Sequence, residues 1–387
     1  MKRQIHRVRS TLDLTGTNKG KKRGSIFNVF DHPNKEQRGK EAPKQQEPRQ
    51  EELRGEELSE EELIEEQPRE EELIEEQPRE EQLSEEERRE QMIRNLTRIY
   101  CNIPEGTATV GPRLHSILRL RTEVLTLGDD GDYADAPPYP NFFLPLPREK
   151  LREHTVEILN DVDRQDYQDH EEEAYPGPDE DAIDRAQFLS YRIDREFYGF
   201  PRKGIEAGTL RGGSMWLGTG DILDDWFWRD MFPAGRKFHF TSGLKVKRGL
   251  FPHVTLNIRH DVDAKEDLLR GEVLALIGAM LTRLDMKEWK QHIVIPVMMF
   301  SFMSNIQGRI LQGYFDGREV VIRKTKLYDF FPKEQMDAST ELFLQWMAST
   351  PCGDIKNFQF RDFEPLTVQE EEELDSEYSS STKSKDE

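Results

Sequence analysis

Three charged side chains near the middle of the sequence could carry out metal-dependent chemistry together: Glu272, Lys324 and Lys326. Glu272 falls in a predicted helix, and both lysines fall in the last of three predicted strands that follow it. On a helical wheel Glu272 lies about 100° from Val273, at the border of the apolar face. A carboxylate there could point into a strand-lined cleft and hold a divalent metal, while a lysine positions or activates water. These three residues are therefore the candidate catalytic set.

A glutamate-bearing helix followed by three strands, the last with lysine, resembles the core of the PD-(D/E)xK nucleases. That resemblance implies an acid on the second strand and an acid-x-Lys on the third. Here Gln312 stands where the second strand needs its acid, and Asp316 falls at a hairpin tip. Ile322 stands two residues before Lys324, so the acid-x-Lys is missing. Three interpretations stay open: an active nuclease using divalent metal, a degenerate binding-only domain, and a plain core with solvated polar residues.

The predicted hairpin also carries basic residues that could contact nucleic-acid phosphates, with tyrosines nearby. The candidate nucleic-acid-binding residues are Arg309, Arg323, Lys324 and Lys326. The chain as a whole has a net charge of −21, most of it in the tails, and the remaining part is also acidic. The basic cluster is therefore local, and an acidic segment of the same chain could cover it.

Two other patterns resemble metal or phosphate sites without completing them. Residues 161–172 place acids at several positions of a calcium loop, but Asp166 stands where the sharp turn needs glycine. An acidic loop over 161–184 is expected instead. Residues 213–220 lack the Lys-Ser/Thr pair of a phosphate loop, which leaves a tight turn before a helix at Ile222 as the expected structure.

The histidines offer no ligand set at a recognisable spacing. His260 and Asp261 form the dipeptide of HD-type hydrolases, but partner ligands are missing. His239, His253 and His292 could approach His260 only through the fold, and each is expected to be structural. The sequence therefore predicts no metal site and no cofactor, apart from the divalent metal of the nuclease alternative.

The elements that would position these residues are strongly patterned. Residues 266–284 place apolar side chains at helical spacing, and residues 293–303 form an almost unbroken apolar run. Asp316-Gly317 between two β-rich runs predicts a hairpin, because both residues tolerate positive φ. Ser84 with Glu87 predicts a capping box at the start of a helix that ends near Cys101. Alternating residues over 237–259 predict antiparallel strands, and 149–160 and 338–348 predict helices.

These patterns predict an α+β fold: a mixed or antiparallel sheet with packed helices, flanked by disordered charged tails. We predict four regions. Residues 1–82 are disordered, basic and then acidic; residues 83–184 carry helical additions with acidic and Pro-rich loops; residues 185–366 form a globular α+β domain; and residues 367–387 form a disordered acidic, Ser-rich tail.

The acidic arm contains an internal repeat, EELIEEQPRE, at 61–70 and again at 71–80. Its ten-residue period matches neither a coiled coil nor a solenoid, and one proline per copy interrupts helix formation. Two interpretations stay open: a solvated, expanded arm, and an acidic recruitment segment for a basic protein partner.

Composition favours an intracellular protein. Cys101 and Cys352 are far apart and in no metal-type spacing, and no secretory signal precedes them. No apolar run reaches the roughly 18 to 20 residues of a membrane helix, so no membrane contact is predicted. The basic residues over 19–23 could form a nuclear signal. A cytoplasmic or nuclear location is predicted, with a mitochondrial presequence as the less favoured alternative.

Several segments between residues 237 and 354 together resemble a large group of filamentous-fungal proteins without assigned function. They are KFHFTSGLKVKRGL, EDLLRGEVLAL, IVIPVMMFSFM, GRILQGYFDG, KLYDF and WMASTPCGD. The resemblance covers under a third of the chain. It implies a fungal, intracellular protein with an α+β domain and variable tails, and it implies no activity, cofactor or site residues.

Two functions follow as hypotheses. The first is a non-enzymatic interaction or scaffold protein, because long charged arms accompany an incomplete catalytic set. The alternative is a degenerate or divergent PD-(D/E)xK-like domain that binds or cleaves nucleic acid with Glu272 and the basic hairpin.

Overall fold

The computed structural model describes residues 84–105, 107–173, 176, 180–219, 222–223, 238–356 and 358–361, all within one compact unit, Gln77–Glu387. The predictions of a disordered arm over 1–82, of its repeat, and of a tail over 367–387 lie outside these residues.

The described residues form eight α-helices and twelve β-strands. The helices are α1 Glu85–Asn102, α2 Pro112–Ile117, α3 Arg148–Glu153, α4 Asp161–Glu172, α5 Ala182–Tyr198, α6 Leu210–Gly213, α7 Arg270–Asp285 and α8 Lys333–Met347. The strands are β1 Thr109–Val110, β2 Leu120–Val124, β3 Phe143–Leu144, β4 Trp216–Gly218, β5 Phe238–Val246, β6 Val254–His260, β7 Leu268–Leu269, β8 Val297–Met303, β9 Gln307–Phe315, β10 Val320–Lys324, β11 Tyr328–Asp329 and β12 Thr350–Pro351.

The main sheet has the order β2-β10-β9-β8-β6-β5-β4, with β11 also paired to β9. The β2–β10 and β6–β8 pairs are parallel and the others are antiparallel. The predicted α+β fold with a mixed sheet is therefore confirmed. No helix in the described part of the chain is both long enough and apolar enough to cross a membrane.

The hairpin between β9 and β10 forms at the predicted Asp316-Gly317 turn. Gly317 has φ +101°, a conformation that side chains rarely adopt. The Asp316 carboxylate accepts the backbone N–H groups of Arg318 and Glu319 at 3.0 and 2.8 Å. The turn thereby fixes the β9–β10 register, in which Arg323 lies opposite Gln312.

Helix α7 is buried on every side, although its sequence shows one clearly apolar face. Every residue from Gly271 to Leu284 is buried, because the sheet covers one side of the helix and α1 packs against another. Helix α1 begins with the predicted capping box, in which the Ser84 hydroxyl accepts the Glu87 N–H and the Glu87 carboxylate accepts the Ser84 N–H. A helix buried all round needs such an outer layer.

The other face of the sheet is covered by α5 and α8 around a second hydrophobic cluster. Trp346 of α8 and Trp216 of β4 are fully buried there. Each indole N–H donates to a backbone carbonyl, of Gly131 at 3.0 Å and Ser349 at 2.7 Å respectively. These bonds satisfy the polar end of two large apolar side chains.

The predicted acidic loop over 161–184 is wrong, because most of it is helical. Asn160 caps α4 by accepting the Asp163 N–H at 2.9 Å. The ring of Phe200 packs against those of Tyr167 and His170, with centroids 5.1 and 4.9 Å away. An N-cap and an aromatic anchor therefore outweigh the repulsion among the acids of this segment.

Three other segments differ from their predicted form. Residues 216–218 form β4 rather than a turn, and the helix predicted from Ile222 lies largely outside the described residues. Residues 238–246 form one strand with a bulge near Phe240 rather than two strands. Helix α3 ends at Glu153, well before the predicted 160, because Val156 then pairs with Arg202 in an isolated bridge.

Residues before the predicted domain start at 185 contribute to the same core. Strand β2 pairs with β10, and Leu96 of α1 is buried with Leu276 and Ile277 of α7. The fold of the described residues therefore extends on the N-terminal side of that predicted boundary.

Candidate functional site

Glu272, the predicted metal-binding carboxylate, is fully buried at the start of α7. It is the third residue of the helix, and its Oε2 accepts the N–H of Leu269 at 2.8 Å. This contact satisfies one of the backbone donors that every helix start leaves without a helical partner. The Glu272 carboxylate therefore caps the start of α7, a role that its position three residues after Leu269 allows.

The charge of Glu272 is matched by Arg309 of β9, which is also fully buried. Arg309 donates from Nε to Oε1 at 2.8 Å, and a second nitrogen makes a very close contact with Oε2. The same guanidinium donates to the carbonyls of Lys265, Glu266 and Asp267 at 3.0, 3.2 and 2.9 Å. Arg309 thereby holds both the start of α7 and the loop that precedes it.

The electrostatics of this pair favour its charged form. Burial alone would raise the pKa of Glu272, but the charge and hydrogen bonds of Arg309 outweigh it and hold that pKa below its usual value. Burial lowers the pKa of the neighbouring His260 to about 4, although the Glu272 charge opposes this shift. His260 is therefore neutral near pH 7 and adds no charge to the pair.

The two candidate lysines do not share a cleft with the Glu272 carboxylate. Lys324 donates from Nζ to the Glu266 carbonyl at 2.6 Å, and its side chain is 17% exposed. Lys326 is exposed, with its ammonium 5.3 Å from the centre of the Tyr328 ring. Lys324 thus helps to hold the loop that Arg309 also holds, and Lys326 lies at the surface.

Arg323, predicted to bind nucleic acid, is instead buried on the opposite face of the sheet. It donates to Glu123 at 2.8 Å and to the carbonyls of Pro140 and Tyr139 at 2.6 and 3.1 Å. Its guanidinium also lies 5.4 Å from the centre of the Tyr314 ring. These contacts hold the Arg323 side chain inside the protein.

The residues at the expected acidic positions of a nuclease core are used structurally as well. Gln312 is buried, and its Nε2 lies 3.3 Å from the Tyr133 hydroxyl. Asp316 holds the hairpin turn and pairs with Arg121 at 3.1 Å. The nuclease interpretation stays a prediction, and the geometry offers its metal no open position between Glu272 and these residues.

The four histidines that the sequence singles out fall in two neighbouring pairs, His253 with His292 and His239 with His260. His253 is buried with Nε2 3.0 Å from the Cys352 carbonyl oxygen, and burial lowers its pKa to about 3. The His292 ring packs against that of Trp289 at 5.6 Å. His260 lies beside Glu272, and burial lowers the pKa of His239 too. Burial thus disfavours the charged form of each of these imidazoles.

One group of potential metal ligands in the described part of the chain escaped the sequence reasoning: His170, Glu171 and Glu196. The imidazole Nε2 lies 3.0 Å from Glu196 Oε1, and Glu196 also pairs with Arg202 at 2.5 Å. Arg192 and Lys333 lie 3.6 and 3.2 Å from Glu171. These three cations neutralise the carboxylates, so the group forms an ion-pair network joining α4, α5 and α8.

A second missed feature is Asp194, which lies between α5 and the sheet. Its carboxylate accepts a hydrogen bond from Asn257 of β6 at 2.7 Å, and burial raises its pKa to about 7. Burial, together with the Asp194 charge, raises the pKa of Tyr198 one helical turn further on. A carboxyl that titrates near neutral pH is typical of functional sites but also occurs in structural networks. No sequence signal separates Asp194 from the other acids of this region.

An open groove of about 780 Å³ lies beside α6. Its lining mixes apolar side chains such as Ile205, Leu210 and Met215 with His154 and Glu206. Lys247 supports one wall, because its ammonium donates to the carbonyls of Gly212 and Ser214 at 2.8 and 2.5 Å. The lining charges do not favour one class of ligand.

Comparison of the chain with protein families, with curated proteins and with solved structures finds no match.

Proposed function

We propose that this protein is a non-enzymatic interaction or scaffold protein. One observation carries the proposal: Glu272, the only acid of the candidate catalytic set, is completely buried and bonded to Arg309. A carboxylate in that state has no exposed oxygen with which to hold a divalent metal against a substrate phosphate. The same pair instead fixes α7 on the sheet.

The basic residues of the hairpin support the same proposal. Arg309 and Arg323 are buried and hydrogen-bonded to carboxylates and carbonyls, and Lys324 is bonded to the 265–267 loop. Lys326 is the exposed member of the four candidates. Nucleic-acid binding draws most of its affinity from several accessible cations acting together, so one lysine is weak support for it.

The proposed partner is a basic protein that binds the acidic repeat over residues 61–80, in the cytoplasm or nucleus. The net charge of the chain and the repetition of EELIEEQPRE support this part of the proposal. An acidic strip attracts a basic partner through long-range electrostatics, and the attraction weakens as salt is added.

The first test is a cleavage and binding assay with the full chain. Single- and double-stranded DNA and RNA are incubated with Mg²⁺, Mn²⁺ or EDTA, and we expect neither cleavage nor salt-sensitive binding. Because Glu272 stabilises the fold, the informative variant is K324A/K326A. Metal-dependent cleavage by the wild type would overturn the proposal. Binding without cleavage that K324A/K326A weakens would favour the degenerate nucleic-acid-binding alternative.

The second test concerns the acidic repeat. Proteins captured by the full chain are compared with those captured by a deletion of residues 1–82. A second variant replaces the glutamates of 61–80 with glutamine, which removes the charge but preserves the length and the prolines. We expect both changes to abolish the same salt-sensitive partners. If every partner remains bound to both variants, the repeat is not the recruiting element.

A further inference from the structure

The open groove beside α6 is built from two stretches of the chain. Most of its lining comes from residues 204–215, and Ala348 and Thr350 come from the stretch that follows α8. Its volume of about 780 Å³ is within the range of clefts that hold a ligand. The groove is therefore large enough for several side chains of a bound peptide.

The charges in the lining are mixed, but the groove is bordered mainly by cations. Lys203 is exposed and directly precedes the lining residues. The Lys247 ammonium donates to the carbonyls of two lining residues, Gly212 and Ser214. Arg211 lies between two lining residues in sequence, with its guanidinium 5.3 Å from the centre of the Tyr198 ring. Three cations thus stand on the same side of the groove.

Two of these cations are close enough to repel each other. Burial lowers the pKa of Lys247, and the charge of Arg211 lowers it further. Both causes disfavour the ammonium form of Lys247. A carboxylate placed beside the two side chains would offset this repulsion, so the border of the groove favours an anionic ligand.

The chain contains an acidic segment that begins soon after the last described residue. Residues 370–378 read EEEELDSEY, in which six of the nine residues are acidic. Leu374 and Tyr378 are the apolar residues of this segment. Its composition therefore complements a groove with apolar lining and a cationic border.

The chain is long enough to bring this segment back to the groove. Arg361 is the last described residue and follows Thr350, a lining residue, by eleven positions. Eleven residues separate their ends by at most about 38 Å, whereas the thirteen residues from Arg361 to Leu374 span up to about 45 Å. Leu374 can therefore reach the groove without any change in the described residues.

We propose that residues 370–378 bind in this groove of their own chain. Leu374 contacts the apolar lining, and the glutamates that precede it lie beside the three bordering cations. Because the segment is tethered, its effective concentration at the groove is high, and a contact that is weak for a free peptide is well populated. An acidic segment of another protein must displace it. This inference is independent of the proposed recruitment through the acidic repeat.

The decisive test is disulfide trapping in the full chain. Ala207→Cys and Ser376→Cys are combined in a Cys101→Ser background, because Ala207 is an exposed lining residue and Cys101 is also exposed. Cys352 is retained, since burial raises the pKa of its thiol to about 11 and slows its reaction. We expect an intramolecular disulfide between positions 207 and 376, identified by peptide mass mapping.

The matched control combines Ser376→Cys with Val124→Cys in the same background. Val124 is 79% exposed on β2, at the opposite end of the main sheet from β4. The disulfide at position 207 should form at least fivefold faster than the one at position 124. Equal rates, no disulfide at either position, or linkage between two copies in place of the intramolecular disulfide would overturn the proposal.

The charges are tested by replacing the four glutamates of 370–373 with glutamine in the A207C/S376C chain. The trapping rate should fall at least fivefold, because the bordering cations no longer attract the segment. An unchanged rate would show that these cations do not hold the segment, and the proposal would fail.

A second measurement guards against a folding defect in A207C, because it uses no cysteine substitution. Acetylation of lysines by a soluble acylating reagent is followed by mass spectrometry in the wild type and in the variant with glutamine at 370–373. Lys203 should react at least threefold faster in the variant, whereas Lys290, which is exposed elsewhere, should react equally in both. Equal reactivity of Lys203 in the two proteins would place the segment away from the groove and overturn the proposal.

Discussion

Two buried arginines of this protein are each held by several partners. Arg309 contacts one carboxylate and three carbonyls, and Arg323 contacts one carboxylate and two carbonyls. Removing one member of such a group leaves the other charge in a low-dielectric interior, which costs far more than losing a surface contact. Arg309 and Arg323 are residue types that could bind phosphate, but because they are buried they form ion pairs and hydrogen bonds inside the protein instead.

We expect Arg309→Met to lower the free energy of unfolding by about 3 to 5 kcal/mol, because Glu272 is left charged and buried. Glu272→Met should cost less, since Arg309 keeps its three carbonyl partners. The double variant should be less destabilised than the sum of the two, by at least about 1 kcal/mol. Urea unfolding measures all three. Arg152→Met is the control, because Arg152 is 63% exposed and pairs with Glu341 at the surface. Additive losses would show that the two side chains do not act as a pair.

Asp194 predicts a specific dependence of stability on pH. Its pKa is about 7 in the folded protein, against 3.8 for an ordinary aspartate. The folded state therefore binds a proton that the unfolded state has lost, so this group's stabilisation is complete below pH 3.8 and disappears as pH rises through 7. Asp194→Asn should remove that loss and make the protein about 1 to 3 kcal/mol more stable at pH 8, with little change at pH 4.

The measurement is urea unfolding of wild type and D194N at several pH values. Asp161→Asn is the control, because the Asp161 side chain is 94% exposed. If wild type and D194N keep parallel pH profiles, Asp194 is ionised throughout and the predicted proton uptake is absent.

At the scale of elements, arginines from other parts of the chain hold both ends of α7. Arg309 of β9 pairs with Glu272 in its first turn, and Arg89 of α1 approaches its last turn, contacting the Leu284 carbonyl very closely. Arg89 also donates to the carbonyls of Trp289 and His292, each at 2.8 Å. The guanidinium thereby joins the end of α7 to the loop that leads into β8.

Arg89→Lys should lower the free energy of unfolding by about 2 kcal/mol, since lysine keeps the charge but lacks the forked set of donors. Arg94→Lys on the same helix is the control, because the Arg94 side chain is 62% exposed and should change stability by less than about 0.5 kcal/mol. Thermal or urea unfolding compares the two. Equal effects of the two substitutions would mean that the hydrogen bonds of Arg89 to carbonyls contribute nothing to stability beyond its positive charge.

At the scale of the whole molecule, the sheet is completed by strands that are distant in sequence. Strand β2 pairs with β10, about two hundred residues later, as the 200-residue separation of Glu123 and Arg323 shows. Helix α1 supplies the outer cover of α7. A fragment that begins at residue 185 lacks both and exposes one side of a helix that is otherwise fully enclosed.

The fragment 185–366 is therefore expected to show no cooperative unfolding transition, whereas a fragment beginning at 84 should unfold cooperatively. Calorimetry and amide hydrogen exchange measure the difference. Exposed apolar surface on α7 should also make the shorter fragment bind a hydrophobic dye. A sharp transition in 185–366 at the temperature of the longer fragment would support the predicted domain boundary at residue 185.

The sequence predicted best where the cause is local. The capping box at Ser84, the turn at Asp316-Gly317 and the apolar helix of α7 depend on neighbouring residues. The first two form as predicted, and α7 forms but begins at Arg270 rather than Glu266, because Leu268 and Leu269 pair with β1 as a strand. Helix α4 was missed because its acids repel one another, while its stabilising contact comes from Phe200, which lies just after the end of α5.

By itself the sequence predicted helix α7, strand β8 and the β9–β10 hairpin, and that these belong to an α+β fold. Periodicity and turn chemistry report whether a side chain is buried, but they do not report what it meets. Only the tertiary structure decided that Glu272 faces Arg309 rather than a metal, and that Arg323 faces inward. The physical reason is that the role of a buried charge depends on the group it pairs with. Strand register and helix packing bring that group from 37 residues away for Glu272 and from 200 residues away for Arg323.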